Sequence, residues 1–219
     1  MQKIIHDPLT VPEGIAKDEE ALSKGELCIQ VAKCNTLTLS LGVSQSLRSN
    51  EALRARELGV PVFRRTSGGT ALLHCPGDIF WSVVLPREPK WVGRDFIHSY
   101  SRFGAGWVEF LARRKIAASW VKAPDGFPSY CLFSGRGEVL ATRGRMLGGA
   151  SQHVTARALL HHGTVAQTVD PAVIEKVFGM PGDLARNLSS LTDEGIGLSD
   201  KDLEELAECL HDAMARFHE

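Results

Sequence analysis

The chain has 219 residues, 43% of them hydrophobic and 23% charged, with a formal net charge of -1. That balance belongs to a globular chain able to bury a substantial core, and it excludes a disordered one. A charge so near zero creates no global field toward nucleic acid or an anionic membrane, and no run is long and apolar enough to span a bilayer.

Residues 1–8 lack the apolar core of a signal peptide, so a cytoplasmic protein is expected, with neither nucleic acid nor membrane among its partners. The five cysteines form no CxxC pair, which predicts reduced, mostly buried thiols and no metal site or disulfide framework. Residues 27–31 and 36–41 show the apolar alternation of half-buried strands, and residues 42–45 turn the chain. Residues 51–58 are a helix candidate stopped by Gly59. Residues 60–63 lead, extended, into a glycine loop, and residues 79–85 form the most apolar strand, ended by Pro86.

From about residue 95 to 114, Phe96, Tyr100, Phe103, Trp107, Phe110 and Leu111 recur at helical steps. Gly104 and Gly106 weaken that helix and point to close packing against a neighbour. Residues 139–147 and 158–165 read as paired strands. Ser199 caps a last helix with an acidic first turn, on which Leu203, Leu206, Leu210, Met214 and Phe217 share one face. Trp81, Trp91, Trp107 and Trp120 are expected in the core. With no repeat and no low-complexity linker, the pattern predicts an α+β fold, a mixed β-sheet with flanking helices, in a single domain over residues 1–219.

Ser67-Gly68-Gly69, placed between extended segments, lets backbone N–H groups approach a ligand, with Arg64 and Arg65 ahead of it to offset negative charge. Taken alone, a Gly-Gly pair is more often a tight turn, and a pair such as His161-His162 more often structural. Three motifs in order change that. Residues 64–74 (Arg-Arg-Thr-Ser-Gly-Gly-Thr-Ala-Leu-Leu-His), 144–152 (Gly-Arg-Met-Leu-Gly-Gly-Ala-Ser-Gln) and 160–164 (Leu-His-His-Gly-Thr) resemble the R-R-x-(S/T)-G-G-x-A-V-x-H loop, the G-R-K-(V/I)-x-G-x-A-Q strand and the H-H-G-(T/S) strand of lipoate-protein ligases and octanoyltransferases. The resemblance implies the catalytic-domain fold that these share with biotin ligases. It also implies attachment of lipoate or octanoate to a lysine, with a lipoyl carrier domain or acyl carrier protein as partner. A ligase of this kind needs ATP and Mg²⁺; a thioester-dependent transferase needs neither. The implied acyl or nucleotide pocket comprises Arg65, Ser67, Gly68, Gly69, His74, Gly149, Gln152 and His162.

Met146 stands where the family has its active-site lysine, which in ligases holds the acyl carboxylate and phosphate. Losing a preorganised donor at a developing oxyanion costs about 3–4 kcal/mol. Strand alternation predicts that Arg143 and Arg145 point away from Met146, and Lys122 lies well upstream. Octanoyltransferases that resemble this family carry a nucleophilic cysteine on a loop before that strand, where this chain has Cys131. A thiolate there takes an acyl group from a thioester without ATP. Residues 134–137, Ser-Gly-Arg-Gly, resemble instead the S-G-R-N stretch of ATP-dependent ligases. Cys75, next to His74, is a further thiol candidate. The alternative is a catalytically degenerate homologue that binds an acyl ligand or lipoylated partner without reacting.

Overall fold

Strand β1 (Gln2–Ile5) and helix α1 (Val11–Lys24) open the chain in a computed structural model that describes residues 2–87, 96–122, 138–179 and 186–216. Helix α1 starts on a capping box: Thr10 accepts from the Glu13 N–H, and the Glu13 carboxylate accepts from the Thr10 N–H at 2.7 Å. It stops at Gly25, whose φ of 68° closes the left-handed cap. Then follow β2 (Cys28–Lys33), β3 (Thr38–Leu41), α2 (Asn50–Glu57), β4 (Val62–Arg64), β5 (Leu72–His74) and β6 (Ile79–Pro86). The second half holds α3 (Phe96–Phe103), α4 (Ala105–Arg113), β7 (Ala118–Lys122), β8 (Glu138–Thr142), β9 (Arg145–Val154), β10 (Ala158–Val165), α5 (Pro171–Phe178) and α6 (Asp200–Ala215).

Seven strands form one mixed sheet in the order β1-β2-β6-β10-β9-β8-β7, and three form a smaller one in the order β4-β3-β5. Among the described strands only β1–β2 in the large sheet and β3–β4 in the small one are parallel pairs. One face of the large sheet buries Ile29, Val31, Trp81, Val83 and Leu159 against Phe103, Trp107, Phe110, Leu206 and Leu210 of α3, α4 and α6. Burial of such side chains is worth about 1.5–3 kcal/mol each. The other face meets α1 and the small sheet, whose own core joins Leu39, Leu41, Ala52, Ala55, Val177 and Phe178.

Two expectations are corrected. The helix expected over residues 95–114 is two helices, α3 and α4, which meet at Gly104. There the Trp120 indole lies so close that a Cβ on Gly104 would sit 2.1 Å from its ring, and Trp120 Nε1 donates to the Gly104 carbonyl at 2.8 Å. The carbonyl is thereby claimed by a side chain from β7. Residues 139–147 are not one strand but the end of β8, a turn and the start of β9. Arg143 and Gly144 take φ values of 49° and 74°, the paired left-handed residues of a tight hairpin. Trp81 and Trp107 lie in the core as expected, and Trp120 lies half-buried at its rim. Trp91 and Phe217 lie outside the described residues, as do residues 134–137 and Cys131.

Candidate active site

Register brings the polar groups together. Gln30 pairs with Ser82, Ser82 with His162 and His162 with Ser151, so one transverse row crosses β2, β6, β10 and β9 on the face toward α1 and the small sheet. Because strand side chains alternate, the adjacent row Ile29, Val83, His161, Gln152 faces the helices instead. The two consecutive histidines therefore do different things. His161 is fully buried amid Trp81, Tyr100 and Phe103, with ring centroids 5.0–5.3 Å away, and its Nδ1 lies 3.2 Å from Gln152 Nε2. Burial drives its pKa down to about 3, so it is neutral.

His162 is the centre of the polar row. Its Nδ1 lies 2.7 Å from Asp18 Oδ2, and its Nε2 lies 2.7 Å from Ser67 Oγ. Asp18 comes from α1, at a position on the stripe Val11, Ile15, Asp18, Leu22 that the helix buries. Gln30 Nε2 donates to its other oxygen at 3.1 Å. Burial raises the Asp18 pKa, while the bonds to His162 and Ser82 hold it down. When Asp18 is ionised it accepts only; Nδ1 then carries the ring proton and Nε2 is left to accept from the Ser67 hydroxyl. Ser67 Oγ in turn takes the Arg65 Nε–H at 3.1 Å and lies 2.9 Å from Ser151 Oγ.

Arg65 is buried and shapes the glycine loop from within. Its five N–H groups reach Ser67 Oγ, the Ser40 carbonyl and hydroxyl, and the Gly68 and Thr70 carbonyls. All these acceptors are neutral, and burial lowers its pKa to about 10, so it remains a cation at neutral pH. Gly68 is half-buried and Gly69 exposed. Gly69 takes a φ of 88°, in the left-handed region that suits a turn glycine. His74 links the sheets: its Nε2 lies 2.8 Å from Ser40 Oγ and its Nδ1 3.0 Å from Thr164 Oγ1, and burial lowers its pKa to about 3.

Met146 sits apart from this chain of bonds. It is buried with Val139 and Leu188, its Cε lying 3.2 Å from where a side chain on Gly149 would begin. It borders a cavity of about 510 Å³ walled chiefly by Ala118, Val121, Val139 and Ala141, with Ser119, Asn187 and Arg143 supplying polar atoms. The strand argument for Arg143 fails because Arg143 is in the turn, and it lines the same cavity as Met146. Arg145 lies within 3.7 Å of the Glu194 carboxylate. The Met146 side chain itself offers a phosphate no donor, and Arg143, the cation of the described wall, lies 3.5 Å from the Glu194 carboxylate, so the described residues offer a nucleoside triphosphate little charge there.

Among the described thiols, burial raises Cys28 and Cys209 to about 11 and Cys75 to about 12, and raises Cys34 further, so each stays protonated at neutral pH. Of the residues expected in the pocket, Ser67 and His162 bond directly to each other. Arg65 donates directly to Ser67, His74 joins through Ser40 and Arg65, and Gln152 turns to the opposite face. Thr164, from the third motif segment, and Ser82 belong to the same network, as do Asp18, Gln30 and Ser40, which the sequence alone did not mark. An acidic residue on the apolar stripe of α1 was the one available signal for Asp18.

The family model described as "Lipoyl protein ligase A/B catalytic domain" matches residues 20–214. Octanoyltransferase LipM of Staphylococcus aureus is 26% identical over 181 residues, covering 76% of this chain and 64% of that one. A probable lipoate-protein ligase A of Mycoplasma genitalium is 27% identical over 143 residues, covering 65% of this chain and 37% of that one. The chain thus spans less than two thirds of the length of these relatives. Among solved structures, lipoate-protein ligase A bound with ATP has a TM-score of 0.75 at 16% identity, covering 99% of this chain and 85% of that one. A putative lipoate protein ligase from T. acidophilum with bound lipoic acid gives the same values. At such identity the likeness is one of fold, and it agrees with the mixed sheet and flanking helices described above.

Proposed function

The chain belongs to the lipoyl protein ligase A/B catalytic-domain family, and on that premise we propose that it transfers a lipoyl or octanoyl group to a lysine of a lipoyl carrier domain. One observation carries the reading. The three motif segments, remote in sequence, converge through side chains, since His162 bonds Ser67 while Ser67 bonds Ser151. The proposed acyl pocket is formed by Ser67, Gly68, Gly69, His74, Gly149 and His162, with Arg65 holding the loop in shape and Gln152 outside it, on the helix-facing side of the sheet.

The donor that suits these residues best is an acyl thioester. A thioester arrives already activated and carries no phosphate to be held, whereas ATP and Mg²⁺ would require the charge that Met146 lacks. Cys131, the thiol that the resemblance offers as acyl carrier, lies outside the described residues. The partner in this reading is a lipoyl carrier domain as acceptor, with an acyl carrier protein as one source of the thioester. The apolar packing of Met146 on Val139 and Leu188, at the position of the family's lysine, favours a second reading, a protein that binds an acyl ligand or lipoylated partner without reacting.

The test is intact-mass analysis of an apo lipoyl carrier domain mixed with this protein, with ATP plus lipoate in one tube and an octanoyl thioester in another. Mass gain in the second tube is the expected result. Gain only in the first would mean a ligase working without the lysine, and acyl binding with no gain in either would support the non-reacting reading. Met146→Lys restores the family's charge; ATP-dependent gain in that variant alone would identify Met146 as what separates this chain from a ligase.

A further inference from the structure

Of all the described polar clusters, one has the form of an activated hydroxyl. A carboxylate, Asp18, holds one ring nitrogen of a histidine at 2.7 Å, and the other nitrogen lies 2.7 Å from a serine hydroxyl, Ser67. Such an arrangement is recognised by geometry and roles, whatever fold carries it. Ser67 also touches a buried cation. Arg65 Nε–H points at Oγ from 3.1 Å, and no carboxylate is among the five acceptors of that guanidinium. A positive charge uncompensated by its own partners stabilises negative charge that develops on the oxygen it faces. A structural lock between loop and sheet needs neither a carboxylate behind the histidine nor a cation in front of the serine.

We propose that Ser67 is the acyl-carrying nucleophile of this chain, with His162 as its general base and Asp18 as the residue that positions His162. The inference rests on the acyl-transfer reading and names the group that performs it. In the first half-reaction Ser67 Oγ attacks the thioester carbonyl, the C–O bond forms and the C–S bond breaks. The hydroxyl proton passes to His162 Nε2 and then to the departing thiolate, which leaves as a thiol. In the second half the neutral amine of a carrier lysine attacks the ester carbonyl, forming the amide C–N bond as the C–O bond breaks. The amine proton returns through His162 to Ser67. Acyl thioester and amine become amide and thiol, with Ser67, His162 and Asp18 regenerated.

Access to Oγ passes the glycine turn. Ser67 is buried beneath its own loop, whose backbone reaches β9 through a long bond, Gly68 N–H to the Gln152 carbonyl at 3.4 Å. Among the described residues a Cβ on Gly68 would meet nothing within 4 Å, so the turn is open on that side, while its Gly69 carbonyl packs on Gly42 on the other. Met146 has no role in this route. The cation nearest the reacting oxygen on this route is Arg65, through its Nε–H to Ser67 Oγ.

The deciding property is the chemistry of the adduct. Neutral hydroxylamine cleaves a thioester and leaves an oxyester intact. The full chain is incubated with the octanoyl thioester of acyl carrier protein, without acceptor, and its intact mass is followed before and after neutral hydroxylamine. The expected result is one octanoyl group that resists the reagent and maps to the peptide holding Ser67. It should be absent from Ser67→Ala and His162→Gln, whose carrier acylation should fall at least about a hundredfold. Because Ser67→Ala removes a buried bond and can disturb the loop, Ser67→Cys provides the second variant. It should carry the adduct at the same position and lose it to neutral hydroxylamine.

Three results overturn the proposal while leaving the acyl-transfer reading in place. These are a labile adduct that maps to Cys131, undiminished carrier acylation by Ser67→Ala, and a reagent-resistant adduct in Ser67→Cys. A native chain that acylates neither itself nor a carrier overturns both.

Discussion

At the scale of single residues, Arg65 is the side chain on which the glycine loop depends. Its planar fork satisfies five acceptors at once, and an ammonium group in its place reaches fewer of them with no fixed geometry. Arg65→Lys should therefore strand buried oxygens, each at a cost of about 1–3 kcal/mol. The unfolding free energy should fall by at least that amount, read as a lower urea midpoint with the slope unchanged, and acyl transfer should fall with it. An unaltered midpoint would show that the loop is held by something else. The same residue shows how far sequence reading reached. Its place in the loop was legible from the motif, but its inward turn was not, because the acceptors include Ser40, which precedes it by 25 residues and lies on another strand.

At the scale of elements, the contact between α4 and α6 is set by the absence of a side chain. A Cβ on Gly106 would lie 2.5 Å from the Leu210 Cα and 2.6 Å from its nitrogen, and backbone cannot rotate away as a side-chain tip can. Alanine is the better helix former by about 1 kcal/mol. Gly106→Ala should nonetheless destabilise the protein, by about 1–3 kcal/mol, since the helices must separate to admit a methyl group. A rise in melting temperature would mean that helix propensity outweighs packing there. This contact was legible in advance, because a glycine inside an apolar helical pattern weakens the helix and repays that cost only where a neighbour packs close. The break between α3 and α4 was not, since it depends on an indole arriving from β7. No helix is expected from the sequence over residues 11–24, where the consecutive charges Lys17-Asp18-Glu19-Glu20 mask the stripe on which Asp18 is buried. The β8–β9 turn was missed because Arg143 adopts a positive φ that its side chain ordinarily disfavours.

At the scale of the whole molecule, burial of ionisable groups sets the response to acid. His74 and His161 are held neutral, each down to about 3, while in the unfolded chain they titrate near their ordinary 6.5. Their contribution is complete above pH 6.5 and is lost as pH falls, because only the unfolded chain takes up those protons. Asp78, pushed up to about 7 by burial, opposes them: below that pH the folded chain holds a proton that the unfolded chain releases until about pH 4. His161→Phe fits the aromatic surroundings and removes one of the two histidine contributions. Between about pH 7.5 and pH 5 the variant should lose less stability than the native chain, by on the order of 2 kcal/mol, as read from urea unfolding at both pH values. Equal losses would place the acid sensitivity elsewhere. Strand order adds a constraint of another kind. Within the large sheet β10 alone joins the block β1-β2-β6 to the block β9-β8-β7. A chain that folds as it is synthesised would therefore hold two half-sheets with facing unpaired edges until β10 arrives, with Asp18 emerging 144 residues before His162. The last sheet strand to leave the ribosome is thus a zipper, and until it inserts, the exposed edges on either side are where a nascent chain would pair wrongly or recruit a chaperone.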